Sequence, residues 1–296
     1  MSVSRDDVTV VIPTLNEEDG IGQIVLELKR SGYNNILIVD GYSTDGTAKV
    51  AESNGGHVVF QHGRGKCGAI ETAIDHVETP FMLVMDGDCT YDPKDIAAFL
   101  AHAEKFEQII GVRINGRKNI PRLNRFGNWF LTKTFNVLMG TKLSDVCSGM
   151  YLIRTDVARD LDLHTSGFDV EVEIAAQISS SYSVTEVPID YRKRMGVQKL
   201  SSWKHGFQIV RTIFNLGRMY NPAVLFAGII ALAVVPASFI LGWVALEMLR
   251  FGVWHSEYAL TGLMLIVIAS QSLTLAGISI LLKRMERRFM KQLNEN

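Results

Sequence analysis

The chain has 296 residues, a formal net charge of −1 and 47% hydrophobic residues. A near-neutral charge argues against a general attraction to nucleic acid, and the length allows one large domain or two smaller ones with a sizeable core. Its three cysteines, Cys67, Cys89 and Cys147, are far apart and show no zinc-ligand spacing, which indicates reduced thiols. We expect no secretory leader and no nucleic-acid partner.

Strand and helix patterns alternate along the N-terminal third of the chain. In chain order the predicted elements are strand 8–13, helix 16–32, strand 35–40, helix 43–55, strand 57–60, helix 66–77, strand 81–86 and helix 93–106. We expect Ser43 or Thr44 to cap the second helix, and Asp92 to cap the fourth. Repeated strand–helix units predict an α/β fold with a mostly parallel, doubly wound sheet, in which ligands bind beyond the C-terminal ends of the strands.

Two carboxylates follow the apolar run that forms the fourth strand. Asp86 and Asp88 stand there with one glycine between them, and Asp40 ends the second strand. Neighbouring carboxylates repel each other unless a cation lies between them. Oxygen ligands suit Mg²⁺ or Mn²⁺, and Mg²⁺ is usually held by one or two carboxylates together with substrate phosphates. The pattern therefore predicts a divalent metal that binds a diphosphate at this edge of the sheet.

The C-terminal third has two long uncharged runs. Residues 223–246 and 258–282 contain no charged side chain, and each run exceeds the roughly 20 apolar residues that span a bilayer core. Arginine and lysine lie outside both runs, so the positive-inside rule predicts two spans with both termini and the N-terminal domain in the cytoplasm. Gly262, Ala269 and Gly277 form a small-residue stripe, which suggests self-association through the spans.

Two segments combine cations with apolar residues at helical spacing. In residues 122–137 one stripe holds Arg122, Trp129 and Lys133, with Arg125 beside it, and an apolar stripe holds Phe126, Phe130 and Val137. In residues 201–220 the basic stripe is Lys204, Arg211 and Arg218. Such helices suit the interface plane of a bilayer, where arginine can bind a lipid phosphate. The alternatives are general binding of anionic headgroups for the first helix and simple packing for the second.

Six stretches of the chain, in this order, resemble family 2 glycosyltransferases with the GT-A fold, and in particular the polyprenyl-phosphate (dolichyl-phosphate) hexose synthases. They are "VIPTLNEE", "IVDGYSTDGT", "VMDGDCTYDP", "GVRINGRKNIPRLNRFGNWF", "DVCSGMYLIR" and "VPIDYRKRMGVQKL". The resemblance implies four parts: a cytoplasmic GT-A domain over 1–200, a juxtamembrane amphipathic helix over 201–221, two transmembrane helices over 222–283 and a basic cytoplasmic tail over 284–296.

The resemblance also implies roles for individual residues on the donor side. Asp86 and Asp88 would bind the metal, with Thr90 at the place of a third ligand. The residues implied to line the nucleotide are Pro13, Thr14, Asn16, Glu17 and Asp40. The family more often has two acidic residues after the second strand, whereas this chain reads Asp40-Gly41-Tyr42. Arg194 and Lys199 would neutralise the leaving diphosphate.

On the acceptor side, Arg113 and Arg125 would hold the acceptor phosphate. Asp145 would lie near the reacting sugar, although a structural cap is an equally good interpretation of it. The reaction implied is inverting transfer of a hexose from a nucleotide-sugar to dolichyl or polyprenyl phosphate, giving a lipid-linked sugar for glycan assembly such as protein N-glycosylation. UDP-glucose or UDP-N-acetylglucosamine is the favoured donor, and GDP-mannose is the alternative.

Two other classes of protein fit the sequence less well. A processive polysaccharide synthase would be expected to carry a Gln-x-x-Arg-Trp motif and more membrane spans, and the chain has no Arg-Trp dipeptide. A non-catalytic membrane scaffold would be expected to have lost the acidic pair or the loop cations, and the sequence keeps both. The sequence therefore favours a metal-dependent enzyme.

Overall fold

The computed structural model describes residues 3–163, 170–195, 211–212, 214–215, 217 and 221–294. It divides into two compact units, Met1–Ile213 and Phe214–Asn296, each of which is described by itself. Lys199 and most of the predicted amphipathic helix over 201–221 lie outside the described residues. The predicted boundaries around that helix therefore stay predictions.

The first unit is built on a seven-stranded sheet in the order β3-β2-β1-β4-β6-β5-β7. The strands are β1 Val8–Thr14, β2 Ile36–Asp40, β3 His57–Phe60, β4 Phe81–Val84, β5 Gln108–Asn115, β6 Tyr151–Arg154 and β7 Val184–Asp190. β1 pairs in parallel with both β2 and β4, and β2 pairs in parallel with β3. β6 is antiparallel to its two neighbours, while β5 and β7 are parallel. The prediction of a mostly parallel α/β sheet is confirmed.

Helices connect the strands. In the first unit they are α1 Glu18–Arg30, α2 Thr47–Ser53, α3 Gly65–His76, α4 Ile96–Leu100, α5 Arg122–Met139, α6 Thr155–Arg159 and α7 Val170–Ser181. Short 3₁₀ turns cover Arg5–Asp7, Pro93–Asp95 and Arg117–Asn119. These connections leave the carboxyl ends of β1, β2, β3 and β4 at one edge of the sheet, because all four strands run in the same direction.

Two predictions about helix ends are wrong. α2 begins at Thr47 with Gly46 at its N-cap position, so Ser43 and Thr44 lie before the cap. The Ser43 hydroxyl instead donates to Asp40 and accepts from the Asn16 amide. The helix predicted over 93–106 is shorter, since Pro93 opens a 3₁₀ turn and regular α-helix covers only Ile96–Leu100. The Asp92 cap is confirmed, because its Oδ1 accepts from the Lys94 amide at 3.0 Å.

The core lies between the sheet and its flanking helices. Val8, Val10 and Ile12 of β1 are fully buried, and they belong to one apolar cluster with Ile21 and Leu28 of α1. Each such side chain contributes about 1.5–3 kcal/mol when removed from water. This packing fixes β1 as a central strand and so fixes the loop that leaves its carboxyl end.

The second unit is a pair of long helices, α8 Pro222–Phe251 and α9 Ser256–Asn294. The segments Pro222–Phe251 and Ser256–Leu282 are long and apolar enough to cross a membrane, with mean hydropathies of 2.6 and 2.1. A Cβ added at Gly262 would lie 2.6 Å from Leu241 of α8, and Ala269 is buried, whereas nothing lies within 4 Å of such an atom at Gly277. Part of the small-residue stripe therefore packs within the chain, and self-association stays a prediction.

Candidate active site

The predicted acidic pair lies just beyond the carboxyl end of β4. Asp88 is buried, and its Oδ1 accepts hydrogen bonds from the Thr90 amide at 3.1 Å and the Thr90 hydroxyl at 2.6 Å. Burial raises the pKa of Asp88, and the charge of Asp86 raises it further. The charge of Asp86 thus acts on Asp88 as expected for neighbouring carboxylates.

A lysine that the sequence analysis did not identify forms an ion pair with Asp86, the first residue of the acidic pair. The Nζ atom of Lys66, in the first turn of α3, lies 2.6 Å from Asp86 Oδ1 and 2.5 Å from Glu171 Oε1 of α7. Burial lowers the pKa of Lys66, but the charges of Asp86 and Glu171 outweigh it, so that the pKa is raised well above its ordinary value. The buried hydroxyl of Tyr151 lies in the same region and has no hydrogen-bond partner among the described residues. Lys66 therefore connects the first acidic residue to α7.

The residues around the pair fit a divalent cation. A Cβ added at Gly149 would lie only 2.5 Å from Asp86 Oδ2, so the absence of a side chain there leaves room beside the carboxylate. The described part of the chain contains no group of three His, Cys, Asp or Glu side chains that could form a complete protein cage. Two carboxylates are a sufficient protein contribution for Mg²⁺ when substrate phosphates supply further oxygens. The Thr90 hydroxyl, predicted as a third ligand, donates to Asp88 instead in this structure.

A loop that follows β7 packs against Asp88, the second residue of the acidic pair. The Met195 amide donates to the Asp88 carbonyl at 3.0 Å and the Arg192 amide to the Thr90 carbonyl at 2.7 Å. Arg194 Nη1 lies 3.3 Å from Asp88 Oδ2, and its Nη2 lies 2.8 Å from Glu17 Oε1. The buried Nε of Arg194 has no acceptor among the described residues. The structure thus brings together three residues predicted from separate motifs.

The loops after β1 and β2 are tied to each other. Asn16 adopts a left-handed φ of 53°, its amide donates to Ser43 Oγ at 2.8 Å, and its Oδ1 accepts from the Thr44 amide at 2.7 Å. Asp40 is fully buried and accepts from the amide and hydroxyl of Ser43, each at 2.7 Å. The Thr14 hydroxyl lies 3.4 Å from Asp40 Oδ2.

Asp40 therefore stabilises the loop after β2 through its hydrogen bonds with Ser43. Its predicted contact with the base or ribose stays a prediction, since the carboxylate has no exposed surface in this structure. Pro13 and Glu17 are half-buried and Asn16 is exposed at the same edge of the sheet, where a nucleotide can reach them.

Two of the three residues predicted on the acceptor side, Arg113 and Asp145, form a buried ion pair. Arg113 Nε donates to Asp145 Oδ2 at 2.7 Å, and Nη2 donates to Oδ1 at 2.6 Å and to the Cys147 carbonyl at 3.2 Å. Burial alone would lower the pKa of Arg113, but the hydrogen bonds to Asp145 raise it well above its ordinary value. The guanidinium also lies over the Tyr191 ring at 5.5 Å. A role for Arg113 as a phosphate ligand stays a prediction and requires an exchange of these bonds.

The predicted amphipathic helix is α5. Leu131, Phe135 and Leu138 face the core, whereas the basic residues Arg122, Arg125 and Lys133 are exposed. The exposed apolar side chains of the helix are Leu123, Phe126, Trp129, Phe130 and Val137. A cleft of about 580 Å³ runs beside its C-terminal half and is lined by residues that include Trp129, Lys133 and Lys142.

The residues that sequence reasoning missed come from elements distant along the chain. Lys66 could have been found, because "GRGKCGA" opens a predicted helix and so places a cation at the carboxyl edge of the sheet. Glu171 could not, since no sequence pattern shows that α7 passes behind Asp86. Glu186 likewise gave no signal, although its Oε1 accepts from the amides of Ser144 and Asp145 at 2.6 and 3.1 Å and fixes the start of that loop.

Known proteins resemble this chain over its N-terminal part and, for one relative, over nearly its whole length. The model of glycosyl transferase family 2 matches residues 9–162. Glycosyltransferase AglJ of Haloferax volcanii is 29% identical over 297 residues, which covers 98% of each chain. The dolichyl-phosphate hexose transferase of the same organism is 32% identical over 216 residues, which is 71% of this chain and 94% of the relative.

Solved structures share the fold. Glucosyl-3-phosphoglycerate synthase from Mycobacterium tuberculosis, in complex with Mn²⁺, UDP-glucose and phosphoglyceric acid, superposes with a TM-score of 0.60 at 17% identity, covering 71% of this chain and 79% of that one. The sheet with its flanking helices is the GT-A fold. With the match over more than half of its length, the chain belongs to glycosyl transferase family 2.

Proposed function

We propose that this glycosyltransferase moves a hexose from a nucleotide diphosphate sugar to a dolichyl or polyprenyl phosphate, with inversion at the anomeric carbon. The observation that carries the proposal is the acidic pair beyond the carboxyl end of β4, with Arg194 beside Asp88. The similarity to a dolichyl-phosphate hexose transferase supports the acceptor, and the two apolar helices support a membrane location for it.

On the donor side, Asp86 and Asp88 would hold Mg²⁺ or Mn²⁺, which when bound supplies positive charge to the oxygens of the leaving diphosphate. Arg194 adds a fixed cation beside Asp88, and its buried Nε, which has no acceptor among the described residues, is available to donate to a phosphate oxygen. Lys66 keeps the Asp86 carboxylate oriented. Lys199, which lies outside the described residues, is proposed as a further cation for the same diphosphate.

On the acceptor side, a phosphate monoester is largely dianionic at neutral pH because its second pKa is about 6. It therefore needs alignment and charge stabilisation more than a strong general base. Arg125 is exposed on α5 and is proposed to make the first contact with the phosphate. Arg113 reaches the phosphate only by exchanging hydrogen bonds with Asp145, and until then it holds Asp145 in place.

The exposed apolar side of α5 is proposed to lie on the cytoplasmic membrane surface, with its cations toward lipid phosphates. Trp129 and Phe126 have tilted rings 5.9 Å apart and form the aromatic part of this surface. A helix with exposed aromatics and exposed cations binds in the interface plane of a bilayer. We propose the same side of the membrane for the second predicted amphipathic segment, 201–221, and for both termini, because basic residues flank the spans there.

The test is transfer of radiolabelled sugar into the lipid phase by the purified full-length protein. UDP-glucose, UDP-N-acetylglucosamine and GDP-mannose are each incubated with polyprenyl phosphate and Mn²⁺ or Mg²⁺, and in parallel with EDTA. We expect metal-dependent lipid-phase label from one donor, with a UDP-sugar favoured by sequence resemblance. Label from GDP-mannose alone would identify GDP-mannose as the donor in place of a UDP-sugar. No label from any of the three donors would contradict the proposal.

A further inference from the structure

Two exposed aromatic rings lie together at the carboxyl edge of the sheet, outside the acidic pair. Tyr42 is 64% exposed and Phe60 is 57% exposed. Their rings are stacked, with centroids 5.5 Å apart and an interplanar angle of 22°. An exposed pair of large apolar faces is a common feature of binding sites, because covering it removes apolar surface from water.

The backbone holds the Tyr42 ring in this position. Tyr42 has a φ of 63°, in the left-handed region that is unfavourable for a bulky residue and is concentrated at functional sites. On one side of it the Gly41 amide donates to the Thr14 carbonyl at 2.8 Å. On the other side, Ser43 is bound to the buried Asp40. The turn is therefore fixed, and the ring projects from it.

The ring pair lies at a definite distance from the acidic pair. Tyr42 follows β2 and Phe60 ends β3, and the strand order β3-β2-β1-β4 is parallel throughout. With neighbouring strands about 4.8 Å apart, β2 lies roughly 10 Å and β3 roughly 14 Å from β4, where the acidic pair begins. An extended nucleoside diphosphate spans a comparable length. A diphosphate at Asp86 and Asp88 thus leaves its base near the aromatic pair.

We propose that Tyr42 and Phe60 form the stacking platform for the nucleobase of the donor. The inference rests on the proposed function, since it takes the donor to be a nucleotide-sugar. The base stacks on the exposed face of Tyr42, and Phe60 supports that ring from the other side. Gly41 lets the turn pack closely before the ring, because a Cβ there would lie 3.3 Å from both Gln61 Oε1 and the Thr14 carbonyl. Stacking accepts any base, so the platform contributes affinity rather than the choice between uracil and guanine.

The test is calorimetric binding of UDP, GDP and inorganic pyrophosphate to the full-length protein in detergent with Mg²⁺. Tyr42→Gly removes the ring while glycine accepts the left-handed φ without strain. Phe60→Ala removes the ring that stacks on Tyr42, and Tyr42→Phe keeps the aromatic ring but removes its hydroxyl. The matched control is Tyr182→Ala, which removes an exposed aromatic ring immediately before β7, at the opposite edge of the sheet.

We expect Tyr42→Gly to lower the affinity for the nucleoside diphosphate by about 5- to 100-fold, as the loss of one aromatic stacking partner predicts. Phe60→Ala should lower the affinity less, and Tyr42→Phe, which keeps the ring, should bind the nucleotide as tightly as wild type. Pyrophosphate should bind to all variants with equal affinity. An effect of Tyr42→Gly within about twofold, in a protein that binds the nucleotide, would overturn the platform and leave the proposed function standing. A wild-type protein that binds neither UDP nor GDP would overturn both.

Discussion

Replacing Asp145 by asparagine isolates the contribution of the buried Arg113–Asp145 pair. The substitution keeps the size of the side chain but removes the charge and turns one acceptor oxygen into a donor group that faces the guanidinium. Breaking a buried ion pair in this way costs about 3–5 kcal/mol, because it leaves the other charge buried without compensation. A domain of about 150–250 residues loses about 2–4 °C in Tm for each kcal/mol, so the expected decrease in Tm is about 6–20 °C.

The assay is thermal unfolding of the full-length protein in detergent, with all variants heated at the same rate. The matched control is Asp156→Asn, which breaks the Arg154–Asp156 pair, in which the side chains are 42% and 62% exposed. An exposed pair contributes about 0–1 kcal/mol, so this control should lower Tm by less than about 4 °C. The double variant Arg113→Met/Asp145→Leu should recover most of the loss, since it removes both charges. A decrease for Asp145→Asn no larger than that for Asp156→Asn would refute the reasoning.

Three further predictions concern other parts of the first unit. Lys66→Met should lower the transfer rate about 10- to 100-fold, which is typical of the loss of a residue that orients a metal ligand. Tm serves as the folding control. A rate within about threefold of wild type would exclude that role for Lys66. Burial raises the pKa of the Cys89 thiol to about 11, so at pH 8 its thiolate fraction is about 100-fold below that of a thiol with the ordinary value near 9. We therefore expect iodoacetamide to modify Cys89 far more slowly than a free cysteine by mass spectrometry, and equal rates would contradict its burial. The emission of Trp129 is the difference in fluorescence between wild type and Trp129→Phe. In nanodiscs of brominated lipid this emission should be strongly quenched, whereas unquenched emission would place α5 away from the bilayer.

The sequence was informative wherever a local pattern determines the structure. The strand endings of β2 and β4 followed from apolar runs that stop at Asp40 and Asp86, and parallel strands bring such endings to one edge. The exposed face of α5 followed from helical periodicity, since the buried Leu131 and Phe135 lie opposite the exposed Phe126.

The sequence was uninformative wherever a partner comes from a distant element. Arg113 and Asp145 were both selected, but nothing in the spacing indicated that they bind each other in a buried pair. The link from Lys66 to Glu171 depends on how α7 packs, which periodicity does not describe. Asp40 was assigned to the nucleotide through the family resemblance, and only the structure shows that it is buried and accepts hydrogen bonds from the Ser43 turn.

The central claim is that the acidic pair supports transfer of a hexose to a lipid phosphate. The most direct measurement compares lipid-phase label formed by wild type, Asp88→Asn and Asp75→Asn with the preferred donor. Asp75 is an exposed carboxylate of α3 that pairs only with His62 among the described residues, so its variant controls for the loss of one negative charge. We predict that Asp75→Asn keeps the wild-type, EDTA-sensitive rate, whereas Asp88→Asn loses transfer by a factor of about 100 or more, typical of a lost electrostatic contribution to the transition state. Equal rates for both variants would contradict the account.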